Sequence, residues 1–133
     1  MIICFEVFQN FNDMAGWKNW KGNQVKAIIA EGTDRAINAT LEAIGSAADQ
    51  EIPLDEGTLL RSKHIDVEDG QGVISYGGGP GTGHPKVPYA KRWHENSANF
   101  QHGRKERYLA DPFNKMVADT FKRAIKKELR GEL

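Results

Sequence analysis

The sequence predicts an α+β fold, a small and largely antiparallel sheet packed by a long helix from the N-terminal half of the chain and a second helix near the C-terminus. Three patterns carry that expectation. Between residues 23 and 48 the apolar side chains recur every three or four positions, the spacing of one face of an α-helix. Between residues 63 and 76 two short β-rich runs flank Asp69-Gly70, a pair suited to the positive φ angles of a tight hairpin turn. From Asp111-Pro112 onward a second helical stripe runs to Leu129. The order strand, long helix, hairpin, strand, helix lets the helices cover one face of the sheet.

Each element has a local reason. Residues 2–8, Ile-Ile-Cys-Phe-Glu-Val-Phe, are rich in β-branched and aromatic types and predict a strand; residues 10–16 read as a loop. The first helix starts near Asn23 and sets Val25, Ile28, Ile29, Ala36, Ile37, Leu41, Ile44 and Ala48 on one face. Its other face is polar, with Lys26, Glu31, Asp34, Arg35, Asn38, Glu42 and Asp49. It is expected to run for about 25 residues and stop before Pro53, with a weak point at Gly32 that costs up to about 1 kcal/mol relative to alanine.

Asp55 is expected to cap a short helical turn over residues 57–61, because its carboxylate can accept the free N–H groups that begin a helix. In the hairpin Ile65 and Val67 share a face. Residues 77–85 hold five glycines and two prolines, so 77–86 is expected to be a flexible loop or arm. Residues 87–93 fit either a further strand or the opening of a helix, and residues 96–107 a polar loop. Asp111 is placed as N-cap of the last helix and Pro112 as its first residue. Phe113, Met116, Val117, Phe121, Ala124, Ile125 and Leu129 form its apolar stripe, and Lys115, Lys122, Lys126, Lys127 and Arg130 make the other side basic.

The chain has 133 residues, 39% hydrophobic and 27% charged, which suits one independently folding domain over residues 1–133. No apolar stretch approaches the roughly 18 residues a bilayer span requires, and the N-terminus lacks a basic leader and cleavage site. Synthesis and residence in the cytosol are the expectation. Cys4 is alone, which excludes an intramolecular disulfide and a cysteine-based zinc site, and its apolar neighbours predict a buried, inert thiol. The formal net charge of zero hides a polarity. Residues 1–60 carry four Lys/Arg against nine Asp/Glu (net −5), and residues 61–133 carry fourteen against nine (net +5). Such polarity can be solvated on both faces, or it can serve head-to-tail packing of identical subunits.

The residues with chemical potential give no catalytic, cofactor-binding or metal-binding set. A phosphate loop needs Lys-Ser/Thr after its last glycine, whereas Gly83 is followed by His84-Pro85. A zinc-protease helix starting at His94-Glu95 would need histidine at position 98, which is Ala98. The alternative function is a small metal-dependent nuclease of the His-Asn-His type, built on His94, Asn96 and His102 with Arg104, Lys105 and Arg107 to hold phosphates. Asp55 and Glu56 point apart on a turn and form no acid–base pair. Trp17, Trp20 and Trp93 are candidate core or interface anchors. The basic last helix has no interleaved aromatics for stacking on bases, which favours a solvated face over a nucleic-acid site.

Three segments then resemble one family. Ile52-Pro53-Leu54-Asp55-Glu56-Gly57-Thr58-Leu59-Leu60-Arg61-Ser62 is similar to the Ile-Pro-x-Asp-Thr-Gly-x-Leu-x-x-Ser signature of the minor capsid, or neck and tail-completion, proteins of long-tailed bacteriophages. Pro88-Tyr89-Ala90-Lys91-Arg92-Trp93-His94-Glu95 resembles that family's Pro-Tyr-Ala segment ending in Glu, in its His-Glu form. Tyr108-Leu109-Ala110-Asp111-Pro112-Phe113 resembles its approach to the last helix. The likeness spans about residues 21–130 and departs from the pattern at Glu56, where threonine is usual, and in the long glycine-rich loop.

The resemblance implies a non-enzymatic virion protein of the head–tail connector, located at the head–tail junction. By analogy it forms a ring, a hexamer or dodecamer, that joins a DNA-filled head to the tail. It would touch neighbouring head-closure, connector and tail proteins, enclose the DNA passage without sequence-specific binding, and use no cofactor, metal or membrane. Pro53, Asp55, Gly57, Leu59, Tyr89, Trp93 and Pro112 carry the motif, and Gly78, Gly79, Gly81, His94, Glu95, His102 and Arg104 are candidate interface residues.

Overall fold

The computed structural model describes residues 2–6, 22–53, 57–96 and 104–130. Along them run β1 (Ile2–Glu6), α1 (Gly22–Glu51), α2 (Thr58–Arg61), β2 (His64–Glu68), β3 (Gln71–Ser75), α3 (Ala90–Glu95) and α4 (Ala110–Arg130). The three strands form one antiparallel sheet in the order β1-β3-β2, so the predicted α+β class holds. The hairpin register pairs Ile65 with Ile74 and Asp66 with Val73, and on the other side of β3 Cys4 pairs with Val73. Asp69 and Gly70 both have positive φ (49° and 78°), as a two-residue hairpin turn of matching twist requires. The Gly70 N–H donates to Asp34 Oδ1 at 2.8 Å, which ties this turn to α1.

The stripe that predicted α1 is the side it buries. Ala36, Ile37, Leu41, Ile44 and Ala48 are fully enclosed, and with Ile52, Leu59, Ile74, Tyr76, Val87, Ala90, Tyr108 and Leu109 they form the core. Gly72 lets α1 sit directly on β3: a Cβ there would fall 2.3 Å from Ile37 Cγ2 and 2.7 Å from Leu41 Cδ1. Gly32, expected as a weak point, is a packing notch. A Cβ at Gly32 would fall 2.5 Å from Leu129 Cδ2, so this glycine admits the C-terminal end of α4. Nearby, Arg35 Nε meets Glu128 Oε2 at 2.9 Å.

Several boundaries differ from expectation for local reasons. α1 runs for 30 residues, longer than predicted, because its last turn is completed from outside the helix, as described below. Gly57 stands at the N-cap of α2 with φ 72° and no side-chain cap, while Asp55, expected there, lies outside the described residues. Residues 90–95 form a helix and not a strand. α4 opens before Asp111, at Ala110: the Asp111 N–H already donates to the Arg107 carbonyl and that of Phe113 to Leu109. Pro112 is buried within the first turn, where its missing N–H costs little. α4 packs mainly along α1, so it is α1 that covers the sheet. No described helix is long and apolar enough to cross a membrane. Residues 7–8, Trp17, Trp20 and His102 lie outside the described residues.

Candidate functional site

The three segments that carry the resemblance meet at the C-terminal end of α1. From the first, Ser62 Oγ donates to the Leu59 carbonyl at 2.6 Å and accepts the Gly77 N–H at 2.8 Å. Gly77 returns its carbonyl to the Val87 N–H at 2.6 Å, and the Val87 carbonyl accepts from the Ala90 N–H, which starts α3. The second segment is joined to the third by Tyr108, whose hydroxyl donates to the Ala90 carbonyl at 3.0 Å. Ser62, Ala90 and Tyr108 are all buried, so a lost partner would leave a desolvated polar group. Tyr108 also stands edge-on to Tyr76 (centroids 5.8 Å apart) and to His94 (5.0 Å).

His94 is the pin between α3 and α4. It is 5% exposed. Its Nε2 accepts the N–H of Ala110 at 3.2 Å, one of the donors left without an intrahelical partner at the start of α4. Its carbonyl accepts the Arg107 N–H at 2.8 Å, and Arg107 holds a left-handed φ of 53° there. Because a backbone N–H can only donate, the imidazole is neutral with its hydrogen on Nδ1. Burial pushes its pKa below the ordinary value, and the Arg107 guanidinium adds to the effect.

Residues 104–105 complete the end of α1. Arg104 Nη1 donates to the carbonyl of Asp49 at 2.6 Å and of Ile52 at 3.3 Å, and the Lys105 N–H donates to that of Glu51 at 3.0 Å. These are carbonyls that a helix C-terminus leaves unmatched, and a cation there also suits the helix dipole. Lys105 Nζ lies 3.3 Å from Glu51 Oε2 and 3.5 Å from Asp111 Oδ2, while Arg107 Nε donates to Asp111 Oδ1 at 2.8 Å. The Arg107 hydrogen bond holds the Asp111 carboxyl below the usual carboxylate range, and Glu51 holds the Lys105 ammonium above its own. On the other side of the helix end, Asp49 accepts from Lys63 Nζ and from the Tyr76 hydroxyl, both at 2.6 Å. Burial first, then this hydrogen bond, raises the Tyr76 pKa far above its ordinary value.

The glycine-rich segment closes on itself. Gly79 and His84 form a bridge, Thr82 Oγ1 donates to the Gly79 carbonyl at 2.7 Å, and the turn exposes Pro80 and Gly81. Gly78 has φ 65°, and a Cβ on it would stand 1.9 Å from the Pro85 carbonyl oxygen, so only glycine lets the strands of this loop approach. Between the loop and α2 lies an open groove of about 460 Å³ lined by Thr58, Arg61, Ser62, His84 and Pro85.

The sequence-selected residues divide accordingly. Pro53, Leu59 and Pro112 are buried, and Tyr89 stacks on Trp93 at 4.5 Å, both half-buried against the core. Of the candidate interface residues, Gly79, Gly81 and Glu95 remain accessible. His94 is turned inward and Arg104 caps the end of α1, so the polar groups of both are engaged within the subunit. The nitrogen that His94 would offer a metal is already an acceptor. Among the described residues no three His, Cys, Asp or Glu side chains group as metal ligands. Sequence reasoning missed Tyr76 and the joining roles of Asp49 and Arg107; buried tyrosines that need a hydroxyl partner were the available signal. No protein-family model, curated protein or solved structure matches this chain.

Proposed function

We propose that this chain is a non-enzymatic structural protein of a long-tailed phage virion, a neck or tail-completion subunit that assembles as a ring at the head–tail junction. The observation that supports it is the junction itself. Residues 52–62, 88–95 and 108–113, chosen by resemblance, are joined to one another by buried hydrogen bonds through Ser62, Gly77, Ala90, His94 and Tyr108. A motif whose polar side chains are consumed in holding three segments together serves shape and assembly more readily than turnover. In this reading the accessible turn at Pro80-Gly81 and the exposed Glu95 are the parts that meet neighbouring head-closure and tail proteins, and the ring surrounds DNA without reading its sequence.

The test is electron microscopy of lysates from a phage lacking the gene, with mass spectrometry of intact control virions. DNA-filled heads beside finished, unattached tails, with the chain present in control virions, are expected. Joined particles, or virions without the chain, would overturn the proposal and direct attention to a metal-dependent nicking assay.

A further inference from the structure

Two ion pairs join the acidic half of the sequence to the basic half, Asp49 with Lys63 and Glu51 with Lys105, while Arg35 with Glu128 pairs the minority charges of each half. Exposed charges remain elsewhere, among them Glu31, Glu42, Lys91, Arg92 and Glu95, but two groups of one sign are concentrated on single elements. Gly72 and Ile74 of β3 face α1, so by strand alternation Gln71 and Val73 face the other way. The register sets Asp66 opposite Val73 and Glu68 opposite Gln71, and it brings Glu6 of β1 to the same row as Gln71. Asp66, Glu68 and the turn residue Asp69 are exposed, and none of the ion pairs among the described residues involves them. The row of the sheet that faces away from α1 is therefore acidic at its hairpin end, while Ser75 at the other end of that row is buried.

The second surface is the side of α4 turned away from α1. Lys115, Lys122, Arg123, Lys126 and Arg130 are exposed along it, with Asp119 the only exposed acid on that helix. The two surfaces have opposite sign, lie on different elements and both point away from α1. Identical surfaces of one sign repel, so neither can mate with its own copy in a two-fold dimer. A basic α4 meeting an acidic hairpin on the next copy leaves each subunit one further surface of each kind, which is the requirement for a head-to-tail contact that propagates until it closes.

We propose that the basic face of α4 docks on the exposed acidic row Asp66, Glu68 and Asp69 of the β2–β3 hairpin of a second copy of this chain. The contact deepens the ring reading above and rests on it for its biological setting, not for its chemistry. A polyanion such as duplex DNA is the rival occupant of α4, but it would leave the acidic hairpin unused.

Two charge-reversed chains test this, D66K/E68K and K122E/K126E, each at exposed positions. Sedimentation of the full chain at about 50 mM and about 500 mM salt is the readout, since the Debye length falls from about 14 Å to about 4 Å between the two. The wild type is expected to associate at low salt and weaken at high salt, and each variant alone to associate at least about tenfold more weakly. The two variants mixed are expected to recover association, because each then offers the face the other has lost; an unfolded variant could not rescue. A monomeric wild type at low salt, variants that associate like the wild type, or a failure of the mixture to recover each overturns the contact. So does loss of duplex binding in K122E/K126E with self-association intact, which would assign α4 to nucleic acid. Complementary association by a chain that mass spectrometry does not find in virions would keep the contact and remove the connector function.

Discussion

Replacing His94 by phenylalanine keeps a flat ring of similar size against Tyr108 and removes one atom of consequence, the Nε2 that accepts the Ala110 N–H at 3.2 Å. The donor stays enclosed at the start of α4 with nothing to bond, a loss of about 1–3 kcal/mol at neutral pH. Protonation attacks the same bond, because Nε2 then carries a hydrogen and confronts a donor. The folded-state pKa lies below the ordinary value near 6.5, so the unfolded chain takes up a proton that the folded chain refuses. His94 therefore contributes its full stability above about pH 6.5 and loses it as the pH falls from there toward the folded-state pKa, by at most about 1.4 kcal/mol per pH unit.

Urea unfolding of wild type and H94F, followed by tryptophan fluorescence at about pH 7.5 and about pH 5.5, reads both effects, since stability is linear in denaturant. The wild type should lose up to about 1.4 kcal/mol more than H94F between the two conditions. His64, His84 and His102 are present in both chains, so they cancel in the difference. Equal pH responses of the two proteins, or an H94F as stable as wild type at neutral pH, would refute the role assigned to this nitrogen.

Arg104→Ala should cost about 1.5–3 kcal/mol in chemical denaturation, because the Asp49 and Ile52 carbonyls lose a charged donor at the end of α1; an unchanged midpoint would show that water replaces it fully. Gly72→Ala should destabilise by about 1–3 kcal/mol through overlap with Ile37, and Ile37→Ala in the same chain should relieve part of that cost, so strictly additive melting shifts would contradict the close approach. Tyr76→Phe should cost about 1 kcal/mol by removing the hydroxyl shared between Asp49 and Gly45, and a stabilised variant would mean that burying this hydroxyl is a net cost.

The sequence made the long elements legible because their patterns are local. The α1 stripe from Ile37 to Ala48 is the buried face, Asp69-Gly70 is the hairpin turn, and Phe113, Val117 and Phe121 face the core as their spacing implied. The site was legible only as positions. Ser62, Ala90, His94 and Tyr108 stand in the segments picked out by resemblance, yet nothing in their spacing says that an imidazole in α3 accepts from α4, or that Arg104 closes a helix ending more than 50 residues earlier. Those bonds depend on how the chain returns in space. The same applies to Gly32, which helix propensity scores as a defect and the Leu129 side chain requires.

The length of α1 bears on how the molecule is made. Thirty residues of helix extend about 45 Å, and its first ten, residues 22–31, include no buried residue. The partners that α1 finds just beyond that stretch, such as Leu129 for Gly32 and Glu128 for Arg35, come from much later in the sequence, 93 residues away in the second case. β1 likewise waits for β3, and the last turn of α1 waits for Arg104. The β2–β3 hairpin and the Gly79–His84 turn, by contrast, close from neighbours in the chain. A chain emerging from the ribosome can thus pack the middle of α1 on the hairpin early, while the Gly32 notch stays open until α4 has been synthesised, and long-range contacts of this kind slow folding and lengthen exposure to wrong partners. Among the described elements it is α4, with Pro112 its one buried residue, that follows all the others and completes the fold.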